Sequence, residues 1–489
     1  MTQGGLVLTG GTVIDGTGAP RFAADVRVES GVIVAVGQIL PQPGDEIIDI
    51  RGRVLAPGFI DVHTHDDQIV LEAPAVLPKL TQGVTTVVIG NCGISLAPLV
   101  KSTVPPPLNL LGGTDKYRFA TMAEYADAVD QARPAVNVAA LVGHSTLRVN
   151  VLADPYLPAS AAEVQRMAVL TEEAMAAGAF GLSTGVFYAP AAAADVAEVA
   201  ALAKVAAASG GVYTTHIRTE QAEIMSALDE ALTAAQLADV PVILSHHKCA
   251  GLANWGRSVE TLAHIDAASK RQRVGLDAYP YVAGSTVLRT DLVDGVIEIL
   301  VTWSETYPEM AGRWLADIAR DWGCPQKEAC DRLQPGGACY FQMDEEDVRR
   351  VLQYPGTMIG SDGLPHDAHP HPRLWGTFPR VLGVYARELG LFTLEEAVHK
   401  MTGLSASRFG LRGRGEIAAG NIADMVVFDA QRVVDRSTFE APIQQAQGID
   451  LVMVAGEIAL RDGQPTGQRS GRFLRRPPPL PQDAAKRTA

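Results

Sequence analysis

Gly58-Phe59-Ile60-Asp61-Val62-His63-Thr64-His65-Asp66 is the stretch that decides how this chain is read. The run from Val54 to Val62 is short and apolar, with a Pro-Gly break inside it, and predicts a buried strand. Side chains two apart on a strand point to the same side. His63 and His65 therefore leave the strand end together, with room for one metal ion between them. Neutral imidazole is the commonest metal ligand. A His-x-His pair alone is more often structural than metal-binding, so its weight comes from the rest of the chain.

Downstream, strands and helices alternate. Candidate strands are Thr85 to Ile89, Val136 to Val142, Ala179 to Ser183, Gly211 to Thr215, Val240 to Ser245, Val274 to Ala278 and Thr357 to Gly360. With the strand before His63 they make eight. Capping boxes open several of the intervening helices: Thr121-x-x-Glu124, Ser160-x-x-Glu163 and Thr393-x-x-Glu396. Eight such units predict an α/β fold built on a (β/α)8 TIM-type barrel, over residues 55–282 and 346–410.

Residues 1–54 alternate apolar and polar positions with glycine punctuation, as in Gly31-Val-Ile-Val-Ala-Val36. The pattern returns in 411–489, as in Ala423-Asp-Met-Val-Val-Phe-Asp429. The two ends are expected to form one small β-sandwich. Residues 283–345 are too many for a βα loop and predict a subdomain inserted over the barrel mouth. Gly284, Gly295 and Gly336-Gly337 are its candidate hinges, as for a lid. The tail from Gly471, with Arg475-Arg-Pro-Pro-Pro479, reads as a strap or a frayed end.

Composition narrows the function. The chain has 489 residues, is 47% hydrophobic and carries a net charge of −14. No basic stripe is present, which argues against nucleic acid. No apolar run approaches the length of a membrane span, and the N-terminus lacks a secretory pattern. The five cysteines do not form a disulfide framework, and a cytoplasmic protein with reduced thiols is expected.

Barrel active sites are built at the C-terminal ends of strands. There the chain places Cys92, His216, His246 and Asp362, beside His63 and His65. A catalytic zinc takes three protein ligands from Cys, His and carboxylate and keeps one position open. Cys92, His216 and His246 would make one such site; His63, His65 and Asp362 would make a second, weaker one. Asp362 is also suited to take a proton from the attacking water and return it to a leaving amine. His247 should point away from His246. His144 ends the third strand and is as readily structural. His366, His369 and His371 lie on a Pro-rich loop where exposure is the default. Cys249, Cys324, Cys330 and Cys339 lack ligand spacing.

These motifs resemble the N-acyl-D-amino-acid deacylase (D-aminoacylase) branch of the amidohydrolase superfamily. The likeness runs through Gly58 to Asp67, Val88-Ile-Gly-Asn-Cys-Gly-Ile-Ser95, Tyr213-Thr-Thr-His-Ile-Arg218, Leu244-Ser-His-His-Lys248, Asp277-Ala-Tyr-Pro-Tyr281, Ile359-Gly-Ser-Asp-Gly-Leu-Pro-His366 and His371-Pro-Arg-Leu-Trp-Gly-Thr-Phe378. Many superfamily members bridge two metals with a carboxylated lysine after strand four. Here that end reads Gly181-Leu-Ser-Thr-Gly185, and Cys92 takes its place. The resemblance implies hydrolysis of small N-acyl-D-amino acids, with tight Zn2+ on Cys92, His216 and His246 and a weaker ion on His63, His65 and Asp362. It implies that Lys248, Tyr279, Ser285 and Arg373 hold the substrate carboxylate and amide, and that Tyr340 and Met343 line its side-chain pocket. An ammonium and a guanidinium also suit a carboxylate on chemical grounds. Tyr340 and Met343 favour an apolar D side chain. Arg289, which could pair with an acidic one, and Asp294, a carboxylate near that pocket, are the two residues that weigh against it. A cyclic-amide hydrolase of hydantoinase type is the competing reading, disfavoured by the missing lysine.

Overall fold

The computed structural model describes residues 4–477. The tail beyond Pro477 lies outside them. Eight parallel strands form the barrel: β1 Phe59–Asp61, β2 Val84–Ile89, β3 Asn137–Gly143, β4 Gly181–Gly185, β5 Val212–His216, β6 Val242–Leu244, β7 Val274–Ala278 and β8 Thr357–Ile359. Each pairs with the next in chain order. β8 meets β1 through a single bridge, Thr64 to Gly363. Helices cover the outside and side chains fill the inside, so β2 and β3 are buried throughout. This is why such strands read as unbroken apolar runs.

The run Val54 to Val62 is not one strand. Val54–Pro57 belongs to a second sheet, between Thr12–Val13 and Met425–Phe428. Phe59–Asp61 is the first barrel strand. Gly58 is the joint: a Cβ there would lie 2.2 Å from the Thr85 side chain, so only glycine lets the chain pass from sheet to barrel. That second sheet holds strands from both chain ends and packs on a four-stranded N-terminal sheet. Leu8, Val26, Ile33, Leu55, Met425, Val427 and Met453 fill the space between them.

Two of the three predicted capping boxes are complete, at Ser160 and Thr393. At Thr121 only half forms: its hydroxyl caps Glu124 N–H, but the Glu124 carboxylate accepts from Ala120 instead. After the C-terminal strands of the second sheet, residues 471–476 run as a strap along β3, with Leu474 N–H on the Val138 carbonyl at 2.7 Å.

The segment after β7 carries a three-stranded antiparallel sheet, Gly284–Val287, Ile299–Ser304 and Gly336–Tyr340. Its own core, with Ile299, Val301, Leu315, Ile318, Cys330, Leu333 and Ala338, is separate from that of the barrel. Gly284, Gly336 and Gly337 lie in paired strands rather than in hinges. At Gly337 a Cβ would meet the Trp303 indole at 2.4 Å, so close packing explains it. Gly295 sits in an open turn at φ 77°.

Candidate metal centre and active site

The six predicted donors meet at one place. Their atoms form two overlapping groups, His63, His65, Cys92 and Asp362, and Cys92, His216 and His246, each within 4.8 Å and all buried. Cys92 Sγ lies 3.2 Å from His63 Nε2 and 3.4 Å from His246 Nε2. His246 Nε2 lies 2.9 Å from His216 Nδ1. Cys92 is common to both groups and is thus placed to bridge them.

The backbone aims these side chains. Cys92, His246 and Asp362, which follow β2, β6 and β8, have φ of 53°, 36° and 50°. L-residues enter this left-handed region only when surroundings enforce it, and functional sites are where such strain is kept. The turns at the strand ends point all three inward.

The donor set fits zinc. Two imidazoles and a thiolate are its usual protein ligands. Burial would raise the Cys92 thiol, but the positive field of His63 and His246 holds it well below the ordinary range, as a thiolate. Burial likewise opposes charge on Asp362, and Arg373 first and His63 next keep it ionised. Burial disfavours the charged form of His65, yet Asp362 and Cys92 raise it to about 9. Electron-rich donors thus crowd together in a dry space, and a cation there would satisfy them together.

Several residues around the donors carried no assigned role in the sequence. Asp277, at the end of β7, faces His63 Nδ1 at 3.1 Å and accepts from His246 N–H at 2.9 Å, so one carboxylate orients two ligands. Glu220, four residues after His216, faces His246 Nδ1 at 3.0 Å and Lys248 Nζ at 2.5 Å. Lys79 and Asp61 lie beneath His63 as a fully buried pair at 2.9 Å.

A cavity of about 190 Å3 opens over the donors. His65, His216, His246, Lys248, Tyr279, Ser285, Tyr340 and Asp362 line it. Arg373 stands fully buried behind that wall. Its Nη2 donates to Asp362 Oδ2 at 2.9 Å and to the Ser285 carbonyl at 3.1 Å, and its guanidinium lies 4.5 Å over the Tyr279 ring. Among the described residues, Arg373 Nε and Nη1 and the Tyr279 hydroxyl have no hydrogen-bond partner. Lys248 is instead committed to Glu220 and the His246 carbonyl.

Two expected pocket residues lie elsewhere. Met343 is packed behind Tyr279 with His247, Val348 and Val351, because its N–H is anchored to the Val282 carbonyl. Asp294 is turned back to accept from Val296 and Ile297 N–H. The outer end of the cavity is made by Leu110, Phe187, Tyr188, Asp291 and Leu292. Arg289 stacks over Phe187 at 4.4 Å and pairs with Asp291 at 2.6 Å. Phe187 in turn stacks on ligand His216.

The five other histidines singled out in the sequence have other partners or positions. His144 pairs with Glu198 at 2.8 Å, and His247 points away to Thr261. His371 accepts from Arg373 N–H at 2.9 Å and bonds the Ala283 carbonyl, so it shapes the arginine's turn. His369 bonds the Phe439 carbonyl. His366 is exposed, near Glu72 and Lys116.

Known proteins agree with this geometry. The sequence model of the Amidohydrolase family matches residues 46–296 and 257–460. A D-aminoacylase of Alcaligenes xylosoxydans xylosoxydans is 52% identical, over 96% of this chain and 97% of that protein. An N-acyl-D-glutamate deacylase of the same organism is 49% identical, over 96% of each chain. A crystal structure of D-aminoacylase superposes with TM-score 0.94, covering 96% of this chain and 99% of that one, at 52% identity. The N-acyl-D-glutamate deacylase of Bordetella bronchiseptica, solved with zinc and a phosphonate mimic of the tetrahedral intermediate, also gives 0.94, over 97% and 100% of the two chains, at 46% identity. The chain is a member of the Amidohydrolase family, in the branch that holds the D-aminoacylases.

Proposed function

We propose that this protein is a zinc-dependent hydrolase of N-acyl-D-amino acids that releases a D-amino acid and a carboxylate, and that it prefers uncharged side chains. Asp362 carries the reading. One of its oxygens faces His63 at 3.4 Å and His65 at 3.2 Å, and the other takes Arg373. It is thus held ionised at the metal donors, beside the cavity that admits substrate.

Cys92, His216 and His246 would hold zinc and His63, His65 and Asp362 a weaker ion; bound there, the metal would supply Lewis acidity and a water of lowered pKa. Ionised Asp362 accepts the proton of the attacking water and returns it to the leaving nitrogen. Arg373, with two free N–H groups, and the Tyr279 hydroxyl hold the substrate carboxylate. Glu220 holds the Nδ1 side of His246 and keeps Lys248 in place against the cavity wall. Ser285, on the first strand of the inserted sheet, supports the amide.

With carboxylate and amide fixed, the substrate side chain must run toward Tyr340, Phe187 and Leu292, which one enantiomer alone allows; the relatives act on the D form. An acidic side chain would meet Asp291 there, and the nearby cation Arg289 is already taken by Asp291 and Phe187. All five cysteines are free thiols, which suits a reducing, cytoplasmic setting. Turnover of N-acetyl-D-methionine, N-acetyl-L-methionine, N-acetyl-D-glutamate and a hydantoin, before and after chelation, tests the proposal. The D-methionine derivative should be preferred and its cleavage should vanish with the metal. Preference for the hydantoin would overturn the reaction class, and preference for the glutamate the side-chain assignment.

A further inference from the structure

The barrel is hydrogen-bonded continuously from β1 to β8 but not from β8 back to β1. That seam is closed by the bridge from Thr64 to Gly363 and by Asp362 N–H on the His63 carbonyl at 2.7 Å. Three donors, His63, His65 and Asp362, come from its two lips. The other three stand on strands inside regular ladders: Cys92 after β2, His216 ending β5 and His246 after β6. The two halves of the metal centre therefore rest on foundations of different stiffness.

A buried ammonium joins the two lips. Lys79, on the short helix Leu77–Leu80, is fully buried. Its ammonium donates to Asp61 Oδ2 at 2.9 Å on one lip and to Ser361 Oγ at 2.6 Å on the other. Asp61 Oδ1 completes the link by accepting Ser361 N–H at 2.8 Å and His63 N–H at 3.3 Å. Ser361 Oγ also accepts Gly363 N–H at 3.2 Å, so the residues on both sides of Asp362 are fastened. Beside ligand His65, the buried Asp66 carboxylate has no hydrogen-bond partner, and Lys79 is its nearest paired cation at 3.6 Å. An apolar residue at 79 would leave two buried carboxylates uncompensated and remove the ammonium link between the lips, leaving Asp61 Oδ1 on Ser361 N–H.

We propose that Lys79 is a positioning residue for the second metal ion. By stapling Asp61 to Ser361 it sets the spacing of the His63 and His65 imidazoles from Asp362. It thereby sets the affinity of that group for zinc, while Cys92, His216 and His246 stand on ladders away from the seam. The inference rests on the two-ion reading of the site given above. It differs from a general stabilising role, which would weaken both ions alike.

Zinc titration of the metal-free protein against a competing chelator separates the two equivalents and tests the idea without an activity assay. The wild type should take up two ions; uptake of fewer would overturn the two-ion reading itself. In Lys79→Met the second equivalent should weaken by about 10–100-fold, as when outer partners of metal ligands are removed. The first should weaken much less, because Cys92, His216 and His246 stand away from the seam, although Cys92 is shared. Ser361→Ala keeps the buried charges and removes only one arm of the staple. It should weaken the second equivalent in the same direction and decides the matter if Lys79→Met does not fold. Equal weakening of both equivalents, or an unchanged second one in a folded variant, would overturn the proposal.

Discussion

Replacing Arg373 with methionine should erase recognition of the substrate's carboxylate, and the geometry gives the size of the effect. Arg373 Nε and Nη1 are buried with no partner, while Nη2 is engaged by Asp362 and Ser285. Two N–H groups are therefore free for a carboxylate. One carboxylate can take one of these two nitrogens, and truncating one partner of a buried, hydrogen-bonded charge pair costs about 2–5 kcal/mol. Loss of turnover in Arg373→Met would not by itself prove the point, because Asp362 loses its counter-ion too. A cycle in the substrate removes that ambiguity. The ratio of kcat/KM for N-acetyl-D-leucine to that for its carboxamide should be large in the wild type and fall by about 10²–10³-fold in the variant. Damage to Asp362 lowers both rates and cancels in the ratio. If the ratio survives in Arg373→Met, the carboxylate is held elsewhere, and Lys248, released from Glu220, would be the next residue to test.

Cys92→Ala should abolish turnover and strip zinc, read by elemental analysis, since Sγ serves both donor groups. Asp362→Ala should retain zinc on Cys92, His216 and His246 yet lose about 10²–10⁴-fold in kcat, and near-native turnover would move the proton transfers to another group. Asp291→Leu should free Arg289 from its ion pair and raise kcat/KM for N-acetyl-D-glutamate relative to N-acetyl-D-leucine; an unchanged ratio would remove Asp291 from the specificity pocket. Burial lowers Lys400 to about 8, so between about pH 8 and the unfolded value near 10.5 the unfolded chain binds the proton that the fold gives up. Wild-type stability should therefore rise across that window relative to Lys400→Met in urea unfolding, and a constant difference between the two would refute the assignment.

The strands and the donors were legible for one reason. A parallel strand buried on both faces is an unbroken apolar run, and the residue that follows it is already at the barrel mouth. Cys92, His216, His246 and Asp362 could be picked out by that adjacency alone. What escaped depends on partners brought from other loops. Nothing near Lys79 in sequence says that its ammonium meets Ser361, nor does Glu220 announce Lys248. Met343 was misjudged because it follows a strand end, where alternation no longer dictates direction and the bond to Val282 does. The single strand read over Val54 to Val62 divided because Pro57 and Gly58 turn the chain between two bodies that are both apolar there.

The sheet that joins the two chain ends bears on how the protein is made. Val54–Pro57 gains its second neighbour only when Met425–Phe428 has been synthesised, with the whole barrel between them. At ordinary elongation rates that interval is on the order of tens of seconds. Through it, Leu8, Val26, Ile33 and Leu55 would lack the covering strands they have in the finished fold. A nascent chain halted before Met425 should therefore bind chaperones or aggregate even with its barrel complete, and a soluble, monomeric fragment of that length would refute this. The last strands added act as the lock on the first, so the ribosome cannot release a finished enzyme piece by piece.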